Sequence, residues 1–121
     1  MALILIVDDS PTEVHVMKQA LERHGYRTAV AADGEEGIRL ARQMHPDLIF
    51  MDIVMPGVNG YQATRTLSND PNTNTIPIVM VTSKGQETDR IWGLRQGAVD
   101  YMVKPVSMDQ LVEKAQAALA A

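Results

Sequence analysis

The chain has 121 residues, 45% hydrophobic and 21% charged, with a formal net charge of −4. That length supports one domain with a single core and excludes a second, and the composition is globular rather than disordered. An acidic balance with no Lys/Arg cluster argues against a nucleic-acid partner, the lack of cysteine excludes disulfides and thiolate metal sites, and no leader-like or bilayer-length apolar run is present, so a soluble cytoplasmic protein without membrane insertion is expected.

The first apolar run, LILIV at 3–7, has the length and β-branched content of a buried strand and delivers two adjacent aspartates, Asp8 and Asp9. Ser10, Pro11 and Glu13 then read as a capping box with proline at the first helical position. The helix they open runs from Pro11 to about His24, with Val14, Met17 and Leu21 on one face and Gly25 as its stop. RTAVAA at 27–32 is a weaker strand candidate, and Asp33 with Glu36 opens a second helix that His45-Pro46 closes. DLIFM at 47–51 is a second strongly apolar strand and ends on Asp52. A third helix is predicted from about Asn59 to Leu67, followed by the polar loop SNDPNTNT at 68–75. IVMV at 78–81 leads to Thr82 and Ser83; a fourth helix spans about Gln86 to Gln96 and stops at Gly97. DYMVK at 100–104 is a weaker strand that brings Lys104, and Ser107 with Gln110 opens a fifth helix toward the alanine-rich end.

Alternation of strand and helix, with nearly continuous apolar strands, predicts an α/β fold: a five-stranded parallel sheet with helices on both faces and right-handed crossovers. Five such units suit a flavodoxin-like order of 2-1-3-4-5, which periodicity by itself leaves open. Ligands of such sheets sit beyond the carboxyl ends of the strands, where the order reverses.

Three carboxylates (Asp8, Asp9, Asp52), two hydroxyls (Thr82, Ser83) and one ammonium (Lys104) are expected to converge at that edge. Two like charges about 4 Å apart repel by roughly 4 kcal/mol at an effective dielectric near 20, so such a cluster calls for protonation or a cation. Oxygen ligands alone suit Mg²⁺ or Mn²⁺ rather than zinc, and they leave one aspartate free as a nucleophile. Taken singly, each residue has a plainer reading: a helix-terminal charge for Asp8 or Asp9, a turn residue for Asp52, strand-end hydroxyls, a solvated lysine. Four strand ends with unrelated excuses make the joint pattern the stronger one.

The ordered set IVDDS (6–10), MDIVMPGVNG (51–60), VTS (81–83) and DYMVKP (100–105) resembles the receiver domain of two-component response regulators, above all the single-domain chemotaxis type. The resemblance runs end to end and implies one receiver domain over 1–121 with no output domain, in the 2-1-3-4-5 order of the chemotaxis receiver. It implies that Asp52 is the phosphoacceptor, taking a phosphoryl group from a phosphohistidine on a partner kinase. It further implies that Asp9 and Asp52 ligate Mg²⁺ directly, with Mn²⁺ as a substitute, that Asp8 acts mainly through water, and that the backbone carbonyl of Val54 completes the set. Lys104 would pair with one phosphoryl oxygen and Thr82 donate to another, while Pro105 would follow a cis peptide that aims Lys104 inward. Tyr101 would be an aromatic switch that turns inward as Thr82 moves. Phosphoryl transfer of this kind needs in-line placement and charge neutralisation more than covalent help, and the resemblance implies a phosphoprotein rather than an enzyme acting on a separate substrate.

Two positions depart from the family's common pattern. Val54, two after the acceptor, is apolar where many relatives carry a polar side chain, and Lys84, two after Thr82, is cationic where several carry an acid. Both are expected to alter the approach of hydrolytic water, so that Val54→Asn changes the dephosphorylation rate. Output is expected by protein contact through the fourth helix, fifth strand and fifth helix, including Ile91, Trp92, Tyr101, Val106 and Met108, from a monomer or a weak phosphorylation-dependent dimer. Trp92 suits both partial burial and a contact surface. His15, His24 and His45 read as solvated, and the eight methionines as core filling. QETDRIWGLRQGAVDY, across the fourth helix, is similar to small regulators of chemosensory systems that control type IV pili.

Rival readings differ in what they would need. An Mg²⁺-dependent aspartyl phosphatase would want an Asp-x-Asp pair after the first strand, where Asp8 and Asp9 are adjacent. A flavodoxin-like electron carrier would want a hydroxyl- and glycine-rich first loop, which DDS is not. A phosphate sink or relay for a shared kinase stays open beside a signalling output.

Overall fold

Every residue of three strands is apolar or nearly so because both faces of the sheet are covered. The computed structural model describes residues 1–120. In chain order the elements are β1 (Leu3–Val7), α1 (Pro11–Arg23), β2 (Arg27–Ala31), α2 (Gly34–Met44), β3 (Leu48–Met51), α3 (Gly60–Asn69), β4 (Ile78–Thr82), α4 (Glu87–Gln96), β5 (Asp100–Val103) and α5 (Met108–Ala120). All strand pairs are parallel, and the order across the sheet is β2-β1-β3-β4-β5, so the expected fold and order are both borne out.

Strand alternation divides the core into two layers. Ile4, Ile6, Leu48, Phe50, Val79 and Val81 face α1 and α5, meeting Val14, Met17 and Leu21 from one helix and Leu111, Val112 and Ala115 from the other. Leu5, Val7, Ile49, Met51 and Ile78 face the opposite way, onto Ala41 of α2 and Ala63 and Leu67 of α3. A smaller cluster, Ile53, Met80, Ala98 and Tyr101 with Tyr61 and Leu94, seats α4. The weak periodicity of β2 and β5 reflects their place at the sheet's edges, where Val30 and Val103 are partly open to solvent.

Helix termini follow the sequence closely, with two instructive exceptions. Ser10, Asp33 and Ser107 accept from the backbone N–H three residues on, as expected. Gly25 and Gly97 both take left-handed φ where helices were predicted to stop. The first exception is α3, which runs past Leu67 to Asn69, because the Leu67 carbonyl accepts from Asp70 N and the Thr73 hydroxyl and so keeps the last turn wound. The second is the box on α1. Its N-cap half forms, but the backbone N–H of Ser10 donates to Asp8 Oδ1 at 2.9 Å, and the Glu13 carboxylate is used elsewhere.

Candidate phosphoacceptor and metal site

The site is an extension of the sheet's own ladder. Asp8 N donates to Ala31 O at 3.1 Å, Asp52 N to Val7 O at 2.9 Å and Lys104 N to Thr82 O at 2.8 Å. Each bond is the next rung after a strand ends, so the parallel register that buries the core also sets these residues side by side.

The loop after β3 is held just as tightly. Gly60 N donates to Ile53 O at 2.9 Å, and the Gly60 Cα stands so close to the exit of β3 that a Cβ there would come within 2.0 Å of Asp52 O. The start of α3, with its Asn59–Gln62 capping box, therefore backs directly onto the Asp52 peptide.

Lys104 reaches in from the end of β5, across a Lys104–Pro105 peptide that is cis, as the resemblance implied. Its Nζ donates to Asp8 Oδ2 at 2.9 Å, to Asp52 Oδ2 at 3.4 Å and to Glu13 of α1. The Asp52 Oδ1 accepts from Ile53 N at 2.8 Å. Asp8 and Asp52 are buried, at 3% and 7% exposure, while Asp9 is open to solvent. One carboxylate oxygen from each of the three aspartates lies within 4.8 Å of the others.

Burial pushes the Asp52 carboxyl above its ordinary range and the Asp8 charge pushes it further, against the opposing pull of Lys104, the Ile53 N–H and Thr82. Burial works against the Lys104 ammonium, but hydrogen bonds to Glu13 and Asp8 and the Asp52 charge outweigh it and hold lysine above its usual range. The arrangement is a buried carboxylate beside a fixed cation, with a second and third acid around one opening.

Of the predicted site residues, Asp8, Asp9, Asp52, Thr82 and Lys104 come together. Thr82 is fully buried and its Oγ1 accepts from Lys84 N at 3.4 Å, whereas Ser83 is exposed, so one hydroxyl rather than two is buried at this edge. Val54, two residues after Asp52, is 56% exposed, and Lys84 is exposed. Tyr101 is already turned inward at 8% exposure, its hydroxyl donating to Lys84 O at 2.6 Å. Among the expected surface residues it is therefore the buried one; Ile91 and Trp92 are exposed and Val106 and Met108 half-buried.

Two residues escaped the sequence reading. Glu13 looks like a capping acid by spacing, yet the first turn of α1 overhangs the end of β1, within reach of whatever the fifth strand delivers. Tyr61 of α3 donates to the Asp89 backbone carbonyl at 3.2 Å, tying α3 to α4; nothing in local periodicity signals that contact. Among the described residues no helix is long and apolar enough to cross a membrane.

Comparison with known proteins agrees with this geometry. The model of the response regulator receiver domain matches residues 4–116. Protein PilH of Pseudomonas aeruginosa is 54% identical over 120 residues, covering 99% of each chain. A putative response regulator from Chloroflexus aurantiacus superposes with a TM-score of 0.94 at 34% identity, over 99% of this chain and 98% of that one. The receiver domain of the sensor histidine kinase PA1611 from Pseudomonas aeruginosa, solved with magnesium coordinated in its active-site cleft, gives a TM-score of 0.92 at 32% identity, over 99% and 98%. Since sequence and superposition agree along nearly the whole chain, and the acidic pocket lies where the strand ends converge, the chain belongs to the response regulator receiver family.

Proposed function

We propose that this chain is a phospho-accepting response regulator in which Asp52 takes a phosphoryl group from a phosphohistidine on a histidine kinase. The observation that carries the reading is the buried Asp52 carboxylate 3.4 Å from the Lys104 ammonium. An Asp52 oxygen attacks phosphorus, the P–N bond to the imidazole breaks, the leaving imidazole takes up a proton, and an acyl phosphate remains on the protein. Lys104 pairs with one phosphoryl oxygen as charge shifts, and the Thr82 hydroxyl, buried alongside, donates to another.

The donor set fits Mg²⁺: three carboxylates, all oxygen, clustered within 4.8 Å. Asp9 and Asp52 would hold the ion directly, Asp8 through water, and the Val54 backbone carbonyl would complete the protein's contribution, with Mn²⁺ able to substitute. When bound, the cation supplies charge neutralisation for the transferring group.

The signal leaves by protein contact. Ile91 and Trp92, exposed on α4 beside β5, support a target-binding surface over α4, β5 and α5 that includes Val106 and Met108. The likeness to PilH, together with the α4 sequence, supports a place in chemosensory control of type IV pili. Phosphorylation biases an existing two-state equilibrium, by a coupling of about 1–3 kcal/mol.

Intact-mass measurement after incubation with a small phosphodonor and Mg²⁺ tests the core of this reading. Wild type gains one phosphate and Asp52→Ala gains none; phosphate on the Asp52→Ala variant, or none on wild type, overturns it.

A further inference from the structure

We propose that Glu13 is a positioning residue for phosphoryl transfer, an internal competitor that occupies the Lys104 ammonium until a phosphoryl group displaces it. The inference rests on the phosphoacceptor reading above and adds to it a residue on a different element, the first turn of α1.

An ammonium has three N–H donors, and all three of Lys104 are committed to carboxylates: Asp8, Asp52 and Glu13. A phosphoryl oxygen arriving on Asp52 can take a donor only if one of these contacts yields. Asp8 cannot move cheaply: its side chain is 1% exposed and its other oxygen accepts from Ser10 N. Asp52 carries the incoming group. Glu13 is the member free to leave, because its side chain is 45% exposed and Lys104 is its carboxylate's only partner among the described residues. Its backbone N–H stays capped by Ser10, so the side chain can swing into water without unwinding α1. While in place, its charge also opposes an anionic donor approaching the same ammonium.

The test compares wild type with Glu13→Gln and Glu35→Gln. Glu35 is an exposed acid in the first turn of α2, near the loop after β3 and without contact to Lys104, so it controls for loss of one charge at this end of the sheet. Two readouts are taken with Mg²⁺ present: the rate of phosphate uptake from acetyl phosphate by intact mass, and the affinity for beryllofluoride, a phosphoryl mimic that needs no turnover. Glu13→Gln should raise both by about two- to fivefold, the scale of a half-exposed ion pair, with Glu35→Gln close to wild type. Should Glu13→Gln fail to fold, Glu13→Asp, too short to hold the ammonium, carries the same expectation. Equal effects from both Gln variants, or none from Glu13→Gln, overturn the inference and leave the phosphoacceptor reading intact. Wild type that takes no phosphate on Asp52 sinks both.

Discussion

Asp52 and Lys104 stand 52 positions apart in the chain, yet Nζ lies 3.4 Å from Oδ2. The sheet order makes this possible: β3 and β5 flank β4, so their exits straddle Thr82, and the long lysine side chain spans the gap.

Removing that cation exposes the cost of the acidic cluster. Lys104→Met keeps the apolar stem and deletes the charge, leaving Asp8 and Asp52 side chains, at 1% and 8% exposure, without their counter-ion. Breaking a fully buried pair costs about 3–5 kcal/mol; with the lysine side chain 16% exposed, a loss of roughly 2–3 kcal/mol in urea unfolding is expected. Added Mg²⁺ should recover part of that loss, because any cation in the pocket relieves the same repulsion.

Asp52→Asn should act in the opposite direction. A carboxyl whose folded-state pKa is raised stabilises the fold in its protonated form, below the unfolded value, and that contribution is lost as pH rises through the folded pKa. At pH 7 the wild-type Asp52 is therefore a charge the fold holds against burial and Asp8. The amide removes it with little change of shape, so a gain of about 1 kcal/mol, or roughly 4 °C in Tm, is expected without metal. The gap between variant and wild type should close as pH falls through the raised range toward the ordinary value of 3.8. A Tm difference that persists unchanged to that pH would assign the gain to something other than the charge.

Gly60→Ala probes how the loop after β3 is built. The added methyl would meet Asp52 O at 2.0 Å and Ile53 Cα at 2.7 Å, both backbone atoms that cannot rotate aside. Either α3 lifts or the Asp52 peptide shifts, at a cost of about 3 kcal/mol or more. Chemical denaturation should show that loss, and on the proposed function phosphate uptake should fall in whatever fraction stays folded, because the backbone of Asp52 itself carries the displacement.

The parts of the fold that were readable in advance are those written in local chemistry. LILIV, LIFM and IVMV are apolar throughout because two helical layers cover them, and that doubly covered pattern is a parallel-sheet signature. Asp8, Asp52, Thr82 and Lys104 were legible as a site because three of them directly follow a strand and Thr82 ends one, and parallel strands bring such residues to one edge. The strand order lay beyond periodicity and came with the family resemblance. Glu13 was misread because the same spacing that makes a capping box also puts a first-turn acid over the strand edge, and only the position of Lys104 decides between them. Ser83 failed for the converse reason: an adjacent residue at a strand end points the other way, and here that way is solvent. The Tyr61–Asp89 contact bridges two helices 28 positions apart, and no local pattern encodes it.

Tyr101 offers the last prediction, since its hydroxyl joins β5 to the segment that leads from Thr82 into α4. The bond to Lys84 O is 2.6 Å long, and burial together with the neighbouring Tyr61 holds the phenol protonated well above its ordinary range, so it acts as a donor at every accessible pH. Tyr101→Phe keeps the ring against Met80 and Ile53 and deletes only that donor. Because Lys84 is exposed, water can replace the lost partner, and the global cost should stay near 1 kcal/mol or below. The local effect should be larger than the global one. Amide exchange over residues 84–90 is expected to quicken by about tenfold more than in β1 or β3, while phosphate uptake on Asp52, whose contacts are untouched, stays within about twofold of wild type. Uniform acceleration across the sheet would instead mark the hydroxyl as a core contact with no particular hold on the start of α4.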